Sequence, residues 1–132
     1  MMIAPPQACP FCTVAPSRVV EEDKHAVLIL DGFPVSPGHS LIIPKRHVGS
    51  FFEITDIERG ALLKLLDRAK ELVSKRHNPA GYNIGINDGP AAGQTVSHLH
   101  IHLIPRYEGD VADPRGGVRW VIPQKADYWT RS

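Results

Sequence analysis

Between Ser97 and Ile104, histidine and aliphatic side chains alternate: His98-Leu99-His100-Ile101-His102-Leu103. A period of two predicts a β-strand with the three histidines on one face and Leu99, Ile101 and Leu103 on the other. The apolar face needs a cover, and the sequence holds one. From Thr55 to Arg76, Ile57, Ala61, Leu62, Leu65, Leu66, Ala69, Leu72 and Val73 recur at helical spacing and form one apolar face. Thr55 and Glu58 have the spacing of a capping box, and Asn78-Pro79 ends the helix. Such a helix spans roughly 30 Å, enough to cover one face of a small sheet.

Other strands follow from composition and punctuation. Ala26 to Leu30 is an apolar run, and Leu41-Ile42-Ile43 is a second, stopped by Pro44. Asp31-Gly32-Phe33-Pro34 and Ser36-Pro37-Gly38 are turn chemistry. Tyr82, Ile84 and Ile86 alternate with polar residues, and Val118 to Ile122 is a last candidate, closed by Pro123. The expectation is an α+β fold: a mainly antiparallel sheet of about five strands with one long helix. With 132 residues, the chain reads as one domain over 1–132, with a loose tail over 1–8 and a variable C-terminal segment over 107–132 within it.

Charge excludes some functions. There are 15 Lys+Arg and 14 Asp+Glu, a net +1, which argues against nucleic acid or an acidic membrane as partner. No apolar run approaches the roughly 20 residues of a membrane helix, and the N-terminus lacks the regions of a secretory signal. A cytoplasmic location is the expectation.

Solvated β surface rarely needs imidazole; acid–base catalysis, nucleophilic attack and metal ligation do. At about 3.3 Å per residue, His98 and His102 stand roughly 13 Å apart on a regular strand. Zinc–nitrogen bonds are about 2.1 Å, so one ion is not held by all three rings, and the roles divide. Just upstream, Gly93 permits close backbone approach, and Gln94 and Thr95 bring donors, the makings of a phosphate cradle. If His100 is a nucleophile it must present a bare Nε2, so its Nδ1–H needs an acceptor such as a backbone carbonyl. Cys9-Pro10-Phe11-Cys12 is a zinc knuckle, a redox pair or two free thiols; the prolines around it leave no strand or helix for a thioredoxin-like site.

Gly93 to Arg106, Gly-Gln-Thr-Val-Ser-His-Leu-His-Ile-His-Leu-Ile-Pro-Arg, resembles the signature of the histidine-triad (HIT) family, and most closely its fragile-histidine-triad branch. Asp31, Pro37-Gly38-His39 and Ile43-Pro44-Lys45-Arg46-His47 resemble the family's N-terminal half, and Asn87 falls where the family has an asparagine. The resemblance runs roughly from Cys9 to Arg106.

It implies a nucleotide hydrolase or nucleotidyl transferase. His100 attacks the α-phosphorus to give a covalent nucleotidyl-histidine. His102 contacts the phosphate and leaving oxygen, and Thr95 donates to that oxygen. Gln94 and Asn87 hold phosphates, Asp31 accepts from ribose, and His39 lines the cavity. The resemblance also completes a structural zinc site, Cys9, Cys12, His47 and His98, and requires no catalytic metal. It puts Phe11 near the base pocket and implies a homodimer with a continuous sheet.

A dinucleoside polyphosphate is the first choice of substrate, and a nucleoside phosphoramidate is the alternative. A nucleotide-binding protein without turnover is a rival of another class, disfavoured by the intact histidine row. A cupin-like metal enzyme is a further one, disfavoured by the long helix. Arg106, Arg115, Arg119 and Trp120 have two readings each, contact with a base or phosphate, or an edge strand or subunit contact.

Overall fold

The computed structural model describes residues 9–130, so the expected tail over 1–8 lies outside the described residues. The strands are β1 (Val19–Glu22), β2 (Ala26–Leu30), β3 (Ser40–Pro44), β4 (Gly81–Gly85) and β5 (Ile101–Arg106), and the helices are α1 (Asp56–His77) and the short α2 (Pro123–Ala126). The strands form one sheet, in the order β1-β2-β3-β5-β4, and its four strand pairings are all antiparallel.

The helix forms where its signals predict. The Thr55 side chain accepts from the Glu58 N–H and the Glu58 carboxylate accepts from the Thr55 N–H. A cap of this kind contributes about 1 kcal/mol. Asn78 closes the other end in the left-handed conformation, φ 49°. Glu58 also receives Arg46 through two nitrogens, each at 2.9 Å, and this guanidinium holds its carboxyl down at about 2. The pair fastens the segment after β3, and His47 with it, to the start of α1.

The sheet has two apolar faces. Leu28, Ile42, Leu99, Ile101 and Leu103 pack with Leu62, Leu65 and Ala69 of α1. On the other face Val27, Ile29, Leu41 and Ile43 are covered by Phe11, Val14 and Val19. Burying a side chain such as Leu62 or Leu103 contributes about 2 kcal/mol.

Three expectations are corrected. The histidine strand begins at Ile101, not Ser97. Ile42 pairs with Ile101, and the same register would set Pro44 against Leu99. Proline has no N–H to extend the ladder, and the Leu99 N–H turns instead to the Val48 carbonyl at 2.7 Å. The apolar half of the pattern holds, since Leu99, Ile101 and Leu103 all reach the helix-side core. Gly117–Val121 is a 3₁₀ turn and not a strand. β1, absent from the sequence reading, is a four-residue edge strand with two glutamates. No described helix is long and apolar enough to cross a membrane.

Candidate active site and metal cluster

The turn between β2 and β3 sets Asp31 against His39, whose carbonyl accepts the Asp31 N–H at 2.9 Å. β5 lies beside β3, with Leu41 paired to His102. His39 Nε2 thus comes within 2.9 Å of His102 Nδ1 and 3.3 Å of an Asp31 oxygen.

The proton positions follow. The Val35 N–H donates to His39 Nδ1 at 3.1 Å, so the His39 proton sits on Nε2. That N–H donates to His102 Nδ1, which leaves the His102 proton on Nε2. Burial lowers the pKa of His39, with Asp31 opposing. Burial, with His100 and His39 alongside, lowers that of His102 to about 4, so His102 is neutral at pH 7.

His100 Nδ1 lies 2.9 Å from the His98 carbonyl, the backbone acceptor that the sequence reading asked for. Its N–H is on Nδ1, so Nε2 carries a bare lone pair. The His100 and His102 rings are 5.1 Å apart, and Phe11 packs 5.0 Å from His100. A cavity of about 440 Å³ gathers Asp31, Gly93, Gln94, Thr95, His100 and His102. Thr95 is exposed, and its hydroxyl has no partner among the described residues. A second cavity, of about 660 Å³, holds His39. Asn87 and His102 line both.

Gln94 departs from expectation. Its oxygen accepts the Gly89 N–H at 2.8 Å, and its amide donates to the Gly49 carbonyl at 2.9 Å. Gln94 is 6% exposed, and these bonds engage its oxygen and one of its two amide N–H groups in shaping the loop, while it still lines the cavity.

His98 is fully buried and turns from the other two histidines toward the cysteines. Its Nε2–H donates to the Pro44 carbonyl at 2.7 Å, so Nδ1 is bare. That atom lies 3.4 Å from Cys9 Sγ and 3.5 Å from Cys12 Sγ, while His47 Nδ1 lies 3.0 Å from Cys12 Sγ. All four ligand atoms fall within 4.8 Å of one another. Tetrahedral zinc would separate such atoms by about 3.3–3.8 Å, so the donor set fits zinc in number, chemistry and size. Burial, with Cys9 beside it, pushes the Cys12 thiol up to about 11, a preference that a bound cation reverses by taking the thiolate. His47 Nε2 is buried with no hydrogen-bond partner among the described residues.

The C-terminal arginines are engaged locally. Arg106 binds Asp110 and Asn83, Arg115 binds Asp113, and Arg119 donates to the carbonyls of Lys125 and Ala126. The Trp120 indole donates to the Arg115 carbonyl. Gly117–Val121 is a 3₁₀ turn, so the edge-strand reading of Arg119 and Trp120 fails. What sequence reasoning missed is the bond from His39 to His102; its signal was the Asp–turn–His spacing of residues 31 to 39.

Residues 13–109 match the model of the HIT domain. An uncharacterised HIT-like protein of Methanocaldococcus jannaschii is 42% identical over 106 residues, covering 77% of this chain and 81% of that protein. An AP-4-A phosphorylase of Mycobacterium tuberculosis is 34% identical over 93 residues, covering 70% of this chain and 48% of that one. The crystal structure of a Zn-bound histidine triad family protein from Mycobacterium smegmatis superposes with a TM-score of 0.73 at 33% identity, covering 83% of this chain and 82% of that one.

Proposed function

The chain belongs to the histidine-triad family, and from that premise we propose that it is a hydrolase that cleaves nucleotides at the α-phosphorus, with dinucleoside polyphosphates as its substrates. The observation that carries this reading is the bare Nε2 of His100, fixed by the bond from its Nδ1–H to the His98 carbonyl. A neutral, oriented imidazole is a nucleophile at pH 7.

In the proposed reaction, His100 Nε2 forms a bond to the α-phosphorus as the bond to the leaving oxygen breaks. Water then displaces His100 and releases a nucleoside monophosphate. His102 Nε2–H, Thr95 and Asn87 supply hydrogen bonds to the phosphate oxygens, and Asp31 accepts from the ribose. Donors fixed in place before reaction stabilise the developing charge without reorganising. No step in this scheme passes through a metal.

The state of His102 favours an anhydride over a phosphoramidate. A neutral imidazole held near pKa 4 gives a hydrogen bond more readily than a proton. A polyphosphate leaves as a weak base and needs only that, whereas an amine leaving group needs the proton. The M. tuberculosis relative named AP-4-A phosphorylase supports the same substrate class.

We further propose that Cys9, Cys12, His47 and His98 hold a structural zinc ion, tying the N-terminal arm to the segment that carries His100. Four protein ligands leave no open position for substrate. A homodimer formed through the outer edge of β4, where Ile84 is 51% exposed, completes the proposal.

The test is a rapid quench of the protein mixed with diadenosine polyphosphate, followed by peptide mass spectrometry. An adenylyl group on the peptide containing His100, with AMP as product, is the expected result. AMP release with no adduct from native protein, and undiminished release from His100→Ala, would overturn the mechanism. Adenosine phosphoramidate run in parallel tests the bond preference.

A further inference from the structure

On the face of the sheet away from the histidines, a cavity of about 520 Å³ opens between the C-terminal half of α1 and the edge formed by β1 and β2. Val20, Leu28 and Leu30 wall it from the strands, and Ala69, Leu72 and Val73 from the helix. Leu28, Ala69 and Val73 belong to the core, whereas Val20 and Leu30 are 46% and 52% exposed. Apolar surface therefore runs from the core out to solvent. The volume lies within the range of small-molecule sites, about 300–1,000 Å³.

The last turn of α1 adds Lys75, Arg76 and His77 to the lining, and no acidic side chain joins them. Lys75 pairs with Glu71 at 3.3 Å. The side chains of Arg76 and His77 have no hydrogen bond or ion pair among the described residues. Cations at a helix C-terminus ordinarily offset its dipole, and that end alone repels an anion. Here Lys75 and Arg76 also border an apolar slot, with the His77 ring beside them, and the Arg76 guanidinium is unengaged among the described residues. The walls offer little to a polar body: the Ser40 hydroxyl is buried and donates to the Gly38 carbonyl. Beyond the Lys75, Arg76 and His77 end, the side chains of the walls give a sugar or nucleobase no free polar group.

We propose that this cavity binds an amphipathic anion, an unbranched acyl chain with one carboxylate head. The chain lies along Leu28, Leu30 and Leu72, and the carboxylate meets Arg76 and His77. The cavity shares no lining residue with those that hold His100 or Asn87. β1 and β4 are opposite edges of the sheet, so two copies joined through β4 leave it open. The site is thus independent of the nucleotide reading and stands or falls apart from it.

Dodecanoate titrated into the full chain, followed by calorimetry and by amide chemical shifts, is the test. One saturable site is expected, with shifts at Leu28, Ala69 and Val73 and none at Asn87 or Gly93. Butyrate, eight methylenes shorter, should bind more than about a hundredfold more weakly. Neutral dodecanamide should lose about tenfold, and so should dodecanoate with Arg76→Glu or the milder Arg76→Gln. Both variants should keep native melting temperature and nucleotide turnover. No saturable binding below about 1 mM, competition by AMP, or equal affinity in the Arg76 variants would overturn the proposal.

Discussion

Two clusters flank His100, and they differ in where their protons sit. Cys9, Cys12, His47 and His98 lie on one side, and Asp31, His39 and His102 on the other, and each set brings its ligand atoms within 4.8 Å. By proximity alone both could hold a metal. In the first, His98 gives its N–H to the Pro44 carbonyl and turns a lone pair toward two thiols. In the second, an N–H already fills the 2.9 Å between His39 and His102. The first cluster offers converging lone pairs, as a cation requires, while the second is a directed chain that ends on a free N–H. Hydrogen-bond direction, more than distance, separates an ion site from a substrate site.

The largest effect should come from the residue between them. His100→Ala should lower turnover by about 10⁴-fold or more and leave AMP affinity within a few-fold, checked by steady-state kinetics and calorimetry. A catalytic Ala variant would place the chemistry outside both clusters. Next, Thr95→Val removes a free donor from the cavity. A donor used mainly in the transition state costs about 10² to 10³ in kcat with little change in KM, whereas Thr95→Ser should stay near native. A defect confined to KM would reduce Thr95 to loop shape.

The second cluster itself is tested by His39→Ala, which frees His102 to take the other tautomer. A fall of about 10- to 100-fold in kcat is expected. The native protein also carries a pH signature. His102 titrates near 4 when folded, against about 6.5 when unfolded, and His39 is shifted in the same direction. Between those values the unfolded chain binds more protons, so stability is full above pH 6.5 and is lost as pH falls toward 4. Melting temperatures measured from pH 7.5 to 4.5 should fall across that window, and less steeply in His39→Ala. The first cluster should matter least to rate. Cys12→Ser should abolish bound zinc, measured by elemental analysis, and lower the melting temperature by roughly 10 °C, yet change kcat by less than about tenfold. A thousandfold loss would erase the division between the two clusters.

Much of this was legible in the residues. The helix was fixed by local chemistry, Thr55 and Glu58 at one end and Asn78-Pro79 at the other, and its boundaries stand within a residue. β2 and β3 were continuous apolar runs buried on both faces. β1 escaped because Val19-Val20-Glu21-Glu22 is short, half polar and at an edge. The histidine strand was drawn too long because period two continues through His98, while what ends the ladder is Pro44, on another strand. The sequence shows the Gln94 amide but not the Gly49 carbonyl that takes one of its N–H groups and sets its orientation. Side chains fixed by local capping or patterning were readable from the residues themselves, whereas the distant carbonyls that orient Gln94 and His98 were not, and the grouping of Cys9 and Cys12 with His98 came from the family resemblance.

The first cluster also bears on how the chain folds. Cys9 and His98 are 89 positions apart, and Cys12 and His47 are 35 apart. These ligands meet only after β3 and β5 have paired and the N-terminal arm has crossed the sheet, in contrast to a zinc finger, whose ligands are local. Contacts of such separation close late, after most of the chain entropy has been lost. Interactions absent from the folding transition state slow unfolding and leave the folding rate unchanged. A cation held in this cluster would therefore act as a latch on the finished molecule: refolding would proceed at one speed with or without it, and the lifetime of the native state would depend on it.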